Sequence, residues 1–357
     1  MKRHAIALAL AGFLLSPAAR ADVDLMGKAL QVYGKLHVSY DLYDRGPSTA
    51  DVPDPSDSEL VSNSSRLGFK GEVDIGETTK ALWKFESEID VAGEVGELKA
   101  RSRYVGIGGH WGQVLLGIED TPLKRLAGSY TEFGDTIGDR RGILGQASSG
   151  AHLFNVRAKN MITYGYRGGG FAFDLMAAND FEDVTDPDQS DNRLFGAGLS
   201  YKGDNWGVGI AYESQEDMGG TAGADANAIR VGGSYGFGRF KLGGVYEMLS
   251  DDGWGGRVER DAFALNASMK LAKDWKLAIQ YMEADESDAG NDGADEIAIG
   301  AYYQLNKAVQ VYAMYAELSN DSNASYRLAR SGHGQAYAPT GAGEKVSAFS
   351  VGMSVGF

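Results

Sequence analysis

Between residues 30 and 42 the chain alternates strictly. Leu30, Val32, Leu36, Val38, Tyr40 and Leu42 share one parity, and Gln31, Lys35, His37, Ser39 and Asp41 share the other. A period of two predicts a β-strand with two unlike faces. The pattern returns where Leu67, Phe69 and Val73 oppose Arg66, Lys70, Glu72 and Asp74. It closes the chain too, with Phe349, Val351, Met353, Val355 and Phe357 set against Ser350, Gly352, Ser354 and Gly356. Such segments begin near residues 30, 64, 80, 100, 112, 157, 171, 193, 206, 227, 240, 261, 275, 295, 308 and 345. The fourth and fifth are the least regular. Sixteen two-faced segments predict an antiparallel sheet.

The connections alternate in length. Short turns fall at Gly203-Asp204, Gly236-Phe237-Gly238, Ala272-Lys273-Asp274 and Asn306-Lys307, with long polar stretches between them. The repeat unit is therefore a hairpin. On the apolar parity, Trp206 and Tyr212, Phe240 and Tyr246, and Trp275 and Tyr281 stand six residues apart. Six tilted strand residues span about 15 Å of barrel height, which sets rings near both margins of an apolar band. Lipid tolerates no open sheet edge, so the fold class expected is a closed all-β transmembrane barrel of sixteen strands.

The first residues carry Lys2 and Arg3, an apolar run from Ala5 to Leu15, and Ala19-Arg20-Ala21. This is the plan of a secretory signal peptide, so residues 1–21 are expected to be cleaved and 22–357 to form a single barrel domain. The expected cleavage removes three bases and no acid, taking the formal charge from -15 to -18. An acidic chain without a basic tract gives no footing for nucleic acid. Cysteine is absent, which excludes disulfides and thiol chemistry. After residue 21 no apolar run reaches the length of a membrane-spanning helix. The tracts "SDDG" and "NDGAD" miss the spacing of a twelve-residue calcium loop, so neither metal nor cofactor is expected. His37, His110, His152 and His333 fall in no recognisable catalytic motif, so an enzyme is not expected.

The stretches "SRLGFKGEVDIGETTKALWKFESEID", "YVGIGGHWGQVLLGIEDTP", "YTEFGDT" and "SVGMSVGF" resemble the Gram-negative general porins. One departure is Gly117-Ile118, where that family commonly has Gly-Arg. The resemblance implies a homotrimer in outer-membrane lipid, open to passive diffusion of small hydrophilic solutes and ions. It also implies that Phe357 is an assembly signal read by the barrel-assembly machinery, and that a loop after the fifth strand, about residues 119–154, folds into the lumen. In that loop "YTEFGDT" resembles the constriction motif, with Glu132 as the acidic rim residue and Asp135 as a further candidate.

The alternation supplies a basic wall opposite: Arg66 and Lys70 on the second strand, Lys99, Arg101 and Arg103 on the fourth, and Arg157 with Lys159 on the sixth. Arg or Lys facing lipid near the midplane costs about 2–4 kcal/mol, so all are expected to point into water. Facing acids and bases would set a transverse field across a pore. The alternative functions are a substrate-specific channel, which would need a decisive aromatic or lysine ladder, and, further off, a barrel enzyme.

Overall fold

The computed structural model describes residues 23–24, 26–93, 98–146, 154–182, 192–252, 258–330 and 332–357; the expected signal peptide and His152 lie outside them. One strand opens the barrel, β1 (Gln31–Asp44), and the next has two parts, β2 (Ser56–Ser62 and Arg66–Asp74). There follow β3 (Thr79–Glu88), β4 (Lys99–Gly109), β5 (Gly112–Asp120), β6 (Arg157–Gly168), β7 (Phe171–Asn179) and β8 (Arg193–Lys202). The second half is β9 (Trp206–Glu216), β10 (Ala226–Phe237), β11 (Phe240–Asp251), β12 (Val258–Lys270), β13 (Trp275–Ala284), β14 (Ala294–Gln304), β15 (Val309–Asn320) and β16 (Val346–Gly356). Each strand pairs antiparallel with the next, and β16 pairs back onto β1, so the sixteen-strand barrel closes. A two-residue strand, Val23–Asp24, adds to Gln31 and Val32.

Both faces follow the parity of the sequence. Leu36, Tyr40, Leu42, Trp206, Ile210, Tyr246, Trp275 and Tyr281 are exposed outside, while His37, Ser39 and Asp41 are buried inside. Rings at both ends of the outer band and bare aliphatics between them suit a bilayer's interfaces and its hydrocarbon.

Three departures from strict alternation have local causes. The second strand starts earlier than expected, at Ser56, and is broken at Asn63–Ser65, where Ser64 has φ 49° and the Ser65 hydroxyl bonds the backbone of His37. Between β3 and β4 the register shifts: Lys99 and Ala100 pair with Glu88 and Ser87, but Arg103 pairs with Phe85. Residues 101 and 102 thus share one partner, a bulge that inverts the parity beyond it. A second bulge lies between β5 and β6, where Lys159 and Asn160 of β6 stand opposite Ile118 and Asn160 takes φ 47°. The first falls on β4, one of the two strands whose alternation is least regular.

Candidate pore lining and constriction

After β5, Thr121 caps a helix, α1 (Pro122–Tyr130), accepting from the Lys124 N–H, with Pro122 in the first turn where no donor is needed. The helix lies on the inner parity of β8–β11 because the residues there are small. A Cβ on Gly209 would come within 2.6 Å of Leu126, and one on Gly232 within 2.5 Å of Tyr130. Asn266 of β12 donates to the Tyr130 carbonyl at 2.7 Å. Next, Phe133 and Asp135 both take left-handed φ, 58° and 60°, so the chain reverses sharply. The Phe133 ring is tucked beside Gly300 of β14, and Asp135 is turned toward the other side of the barrel.

Asp135 is the carboxylate that meets the basic wall. It lies 3.1 Å from Lys35 of β1, 3.8 Å from Arg66 of β2 and 3.0 Å from Arg141 of its own segment. Burial by itself would raise its pKa, but Lys35, Arg141, Arg66 and Arg101 outweigh burial and hold it well below the usual range. Asp139 is fully buried in a two-pronged bond with Arg141, both contacts 2.7 Å. Burial again opposes, and Arg141 wins, pushing Asp139 down to about 2. Lys124 is pulled the other way: burial, aided by Arg157 and Arg141 and resisted by Asp120, lowers it to about 8.

Glu132 does not face that wall. Its carboxylate bonds Lys276 of β13 at 2.8 Å, and its N–H donates to Gln280 at 2.9 Å. The ammonium of Lys276 also sits 4.4 Å from the centre of the Tyr302 ring. The acids of "YTEFGDT" therefore divide, Glu132 toward β13 and Asp135 toward β1 and β2, because the Phe133–Asp135 turn separates them.

The other expected bases scatter. Arg101 bonds Glu86 at 2.7 Å and Glu88 at 3.2 Å; Glu86 also accepts from Tyr33 at 2.8 Å. Lys70 stands 5.1 Å from the centre of the same Tyr33 ring. Arg157 lies 3.0 Å from Asp120, which Lys124 reaches at 2.9 Å. Lys99 is exposed at the long-loop end of β4. Arg103 corrects the expectation. Paired with Phe85 and Ile118, it shares the outward parity of Val105 and Ile107, lies 4.4 Å over the Phe85 ring, and donates to the Ser87 hydroxyl at 2.8 Å. The bulge beside Arg101 turned it out of the lumen.

Lys35 and Lys276 were on polar parities and open to nomination from the alternation alone. The stretch between β15 and β16 gave no such signal, yet it packs inward. Ala324, Tyr326, Leu328 and His333 have no exposed surface, and His333 Nε2 lies 2.8 Å from Asp41 of β1. Tyr337 donates to the same Asp41 at 2.8 Å, and Arg330 reaches Gln146 of the α1 segment at 2.5 Å.

A closed sheet with aliphatic and aromatic residues outside and paired charges inside defines a transmembrane β-barrel. The chain belongs to the Gram-negative porin family, whose model matches residues 5–324. It is 31% identical over 170 residues to the major outer membrane protein P.IB of Neisseria gonorrhoeae, covering 47% of each chain. It is 30% identical over 188 residues to outer membrane porin protein 32 of Delftia acidovorans, covering 50% of this chain and 52% of that one. The matched region thus spans about half the length of these curated relatives. Among solved structures, the anion-selective porin from Comamonas acidovorans superposes with a TM-score of 0.77 at 26% identity, over 92% of this chain and 99% of that one. An outer membrane protein of Vibrio cholerae in its trimer form shares the fold at 17% identity, with a TM-score of 0.68 over 92% and 99% of the chains.

Proposed function

We propose that the protein is a water-filled channel of the outer membrane through which small hydrophilic solutes and ions diffuse passively. One observation carries this: inside a closed barrel, the α1 segment brings Asp135 against Lys35 and Arg66 on the opposite wall. That contact supports reading the loop after β5 as the constriction, with Asp135, Glu132, Arg66, Lys70, Arg101 and Arg157 on its rim and Lys99 at the mouth. Family membership supports the same reading.

His37 is bonded to Tyr312 at 3.0 Å and His333 to Asp41, both covered, so neither offers a base to a solute. A homotrimer is supported by the outer face of β4 and β5, where Val105, Ile107, Leu116 and Ile118 stand beside the outward Arg103. An Arg facing lipid is costly, so an aliphatic sector that carries one suits a neighbouring subunit better than lipid. Just past the last strand, Phe357 keeps the parity of the lipid band, which fits recognition by the barrel-assembly machinery.

Single-channel recording in a planar bilayer tests the reading. Steady, resolvable conductance steps in potassium chloride are expected. A purified, folded protein that leaves the bilayer silent would end the proposal.

A further inference from the structure

The third residue of β12 is Arg260, on the inner parity between Val258 and Ala262 at the long-loop end of the barrel. Only 4% of it is exposed, and among the described residues none of its three guanidinium nitrogens has a hydrogen-bond acceptor. Its guanidinium carbon lies 5.3 Å from the centre of the Tyr326 ring. Tyr326 is itself fully buried and its hydroxyl is likewise without a partner. The backbone of Tyr326 is held on both sides by Asn320, which accepts from its N–H at 2.6 Å and donates to its carbonyl at 3.2 Å. So the backbone that carries the ring is fixed by groups other than the arginine.

A ring face attracts a cation but accepts none of its in-plane N–H bonds. A guanidinium buried without a counter-ion is costly. The neighbouring carboxylates are committed or turned away. Asp292 accepts from the N–H and hydroxyl of Ser287, Glu247 is bonded to Arg230 and the Gly145 N–H, and Asp285 is at the exposed rim beside Glu283. What remains is a fork of charged donors over a ring whose hydroxyl is also without a partner, and such a fork matches two oxygens of a carboxylate or phosphate.

We propose that Arg260 and Tyr326 form an oxyanion-binding site in the long-loop mouth, above the constriction, which holds the carboxylate or phosphate of a solute on its way into the pore. The proposal rests on the channel reading. The full-length protein in a planar bilayer tests it, with inorganic phosphate and, in a separate arm, acetate added to each side in turn over potassium chloride. Each oxyanion should reduce or interrupt the current more strongly from one side. Arg260→Gln should weaken that effect by about tenfold, the loss expected for a charge-assisted hydrogen-bonded pair. Tyr326→Phe should weaken it a few-fold with chloride conductance unchanged. Phosphate and acetate effects equal to wild type in both variants would overturn the site, as would an effect that extra chloride reproduces. Absence of any pore in potassium chloride would instead overturn the channel reading.

Discussion

Phe357 and Gly34 close the barrel together. The Gly34 N–H donates to the Phe357 carbonyl at 2.8 Å, the Phe357 N–H donates back at 3.1 Å, and the Phe357 ring covers Gly34. A Cβ on Gly34 would lie 2.3 Å from the ring's Cζ, so only glycine lets the ring lie flat across the β16–β1 seam. Covering a strand glycine with a cross-strand ring fixes register where the sheet meets itself.

Gly34→Val is therefore expected to displace the ring and destabilise the seam by about 1–3 kcal/mol, the usual cost of overpacking. Phe357→Asp should impair assembly more strongly. Heat-modifiable migration of folded barrel on a gel reads both; wild-type amounts of heat-resistant species in each variant would refute the seam's importance.

Asp135→Asn should move selectivity toward anions, because it uncovers Lys35 and Arg66 together. Glu132→Gln should shift it in the same direction but less, since its ion pair is with Lys276 and not with the Lys35 and Arg66 wall. Unit charges across a wet pore interact by energies of about thermal size, so each shift should be a few-fold in permeability ratio. Both should shrink from 0.1 M to 1 M salt as the Debye length falls from about 10 Å to about 3 Å. Reversal potentials under a salt gradient give the ratios. A larger effect from Glu132→Gln would reverse the assignment.

Arg101 and Arg103 are two residues apart on one strand yet face opposite solvents. Because the chain has no cysteine, Arg101→Cys and Arg103→Cys each supply one thiol. A water-soluble thiol reagent should lower conductance in the first and leave it unchanged in the second. Blockage in both would mean that the bulge between β3 and β4 does not invert the parity.

The loop acids set an acid limit. Asp139 is depressed from its ordinary 3.8 to about 2, mainly by Arg141 against burial. A depressed acid contributes stability that is complete above its unfolded value and is lost as pH falls through its folded value. The constriction should thus stay attached at pH 4 and loosen as pH approaches about 2, seen as rising current noise. Asp139→Ala should show that noise already at pH 7, because it leaves Arg141 short of its buried partner, a loss that costs about 3–5 kcal/mol for such pairs. A quiet Asp139→Ala channel at pH 7 would count against this role.

The barrel was legible because its cause is local. A strand between lipid and water must alternate by two, so the starts of β3 to β16 and the outward set of Trp206, Tyr246 and Trp275 could be read along the chain. The basic parity of Arg66, Lys70 and Arg101 was legible for the same reason. Arg103 was not, since one extra residue at the bulge inverts the parity, and the bulge exists only through pairing with β3. Nor was the division between Glu132 and Asp135, which depends on two left-handed residues and on where α1 comes to rest. That resting place is set by Gly209 and Gly232, distant in sequence from α1 and brought beneath it by the closing of the barrel. The inward packing of Tyr326 and His333 likewise needs Asp41 and Arg260 from strands far off in the chain. Periodicity decided which way each regular strand faces; only the closed sheet decided which charges meet.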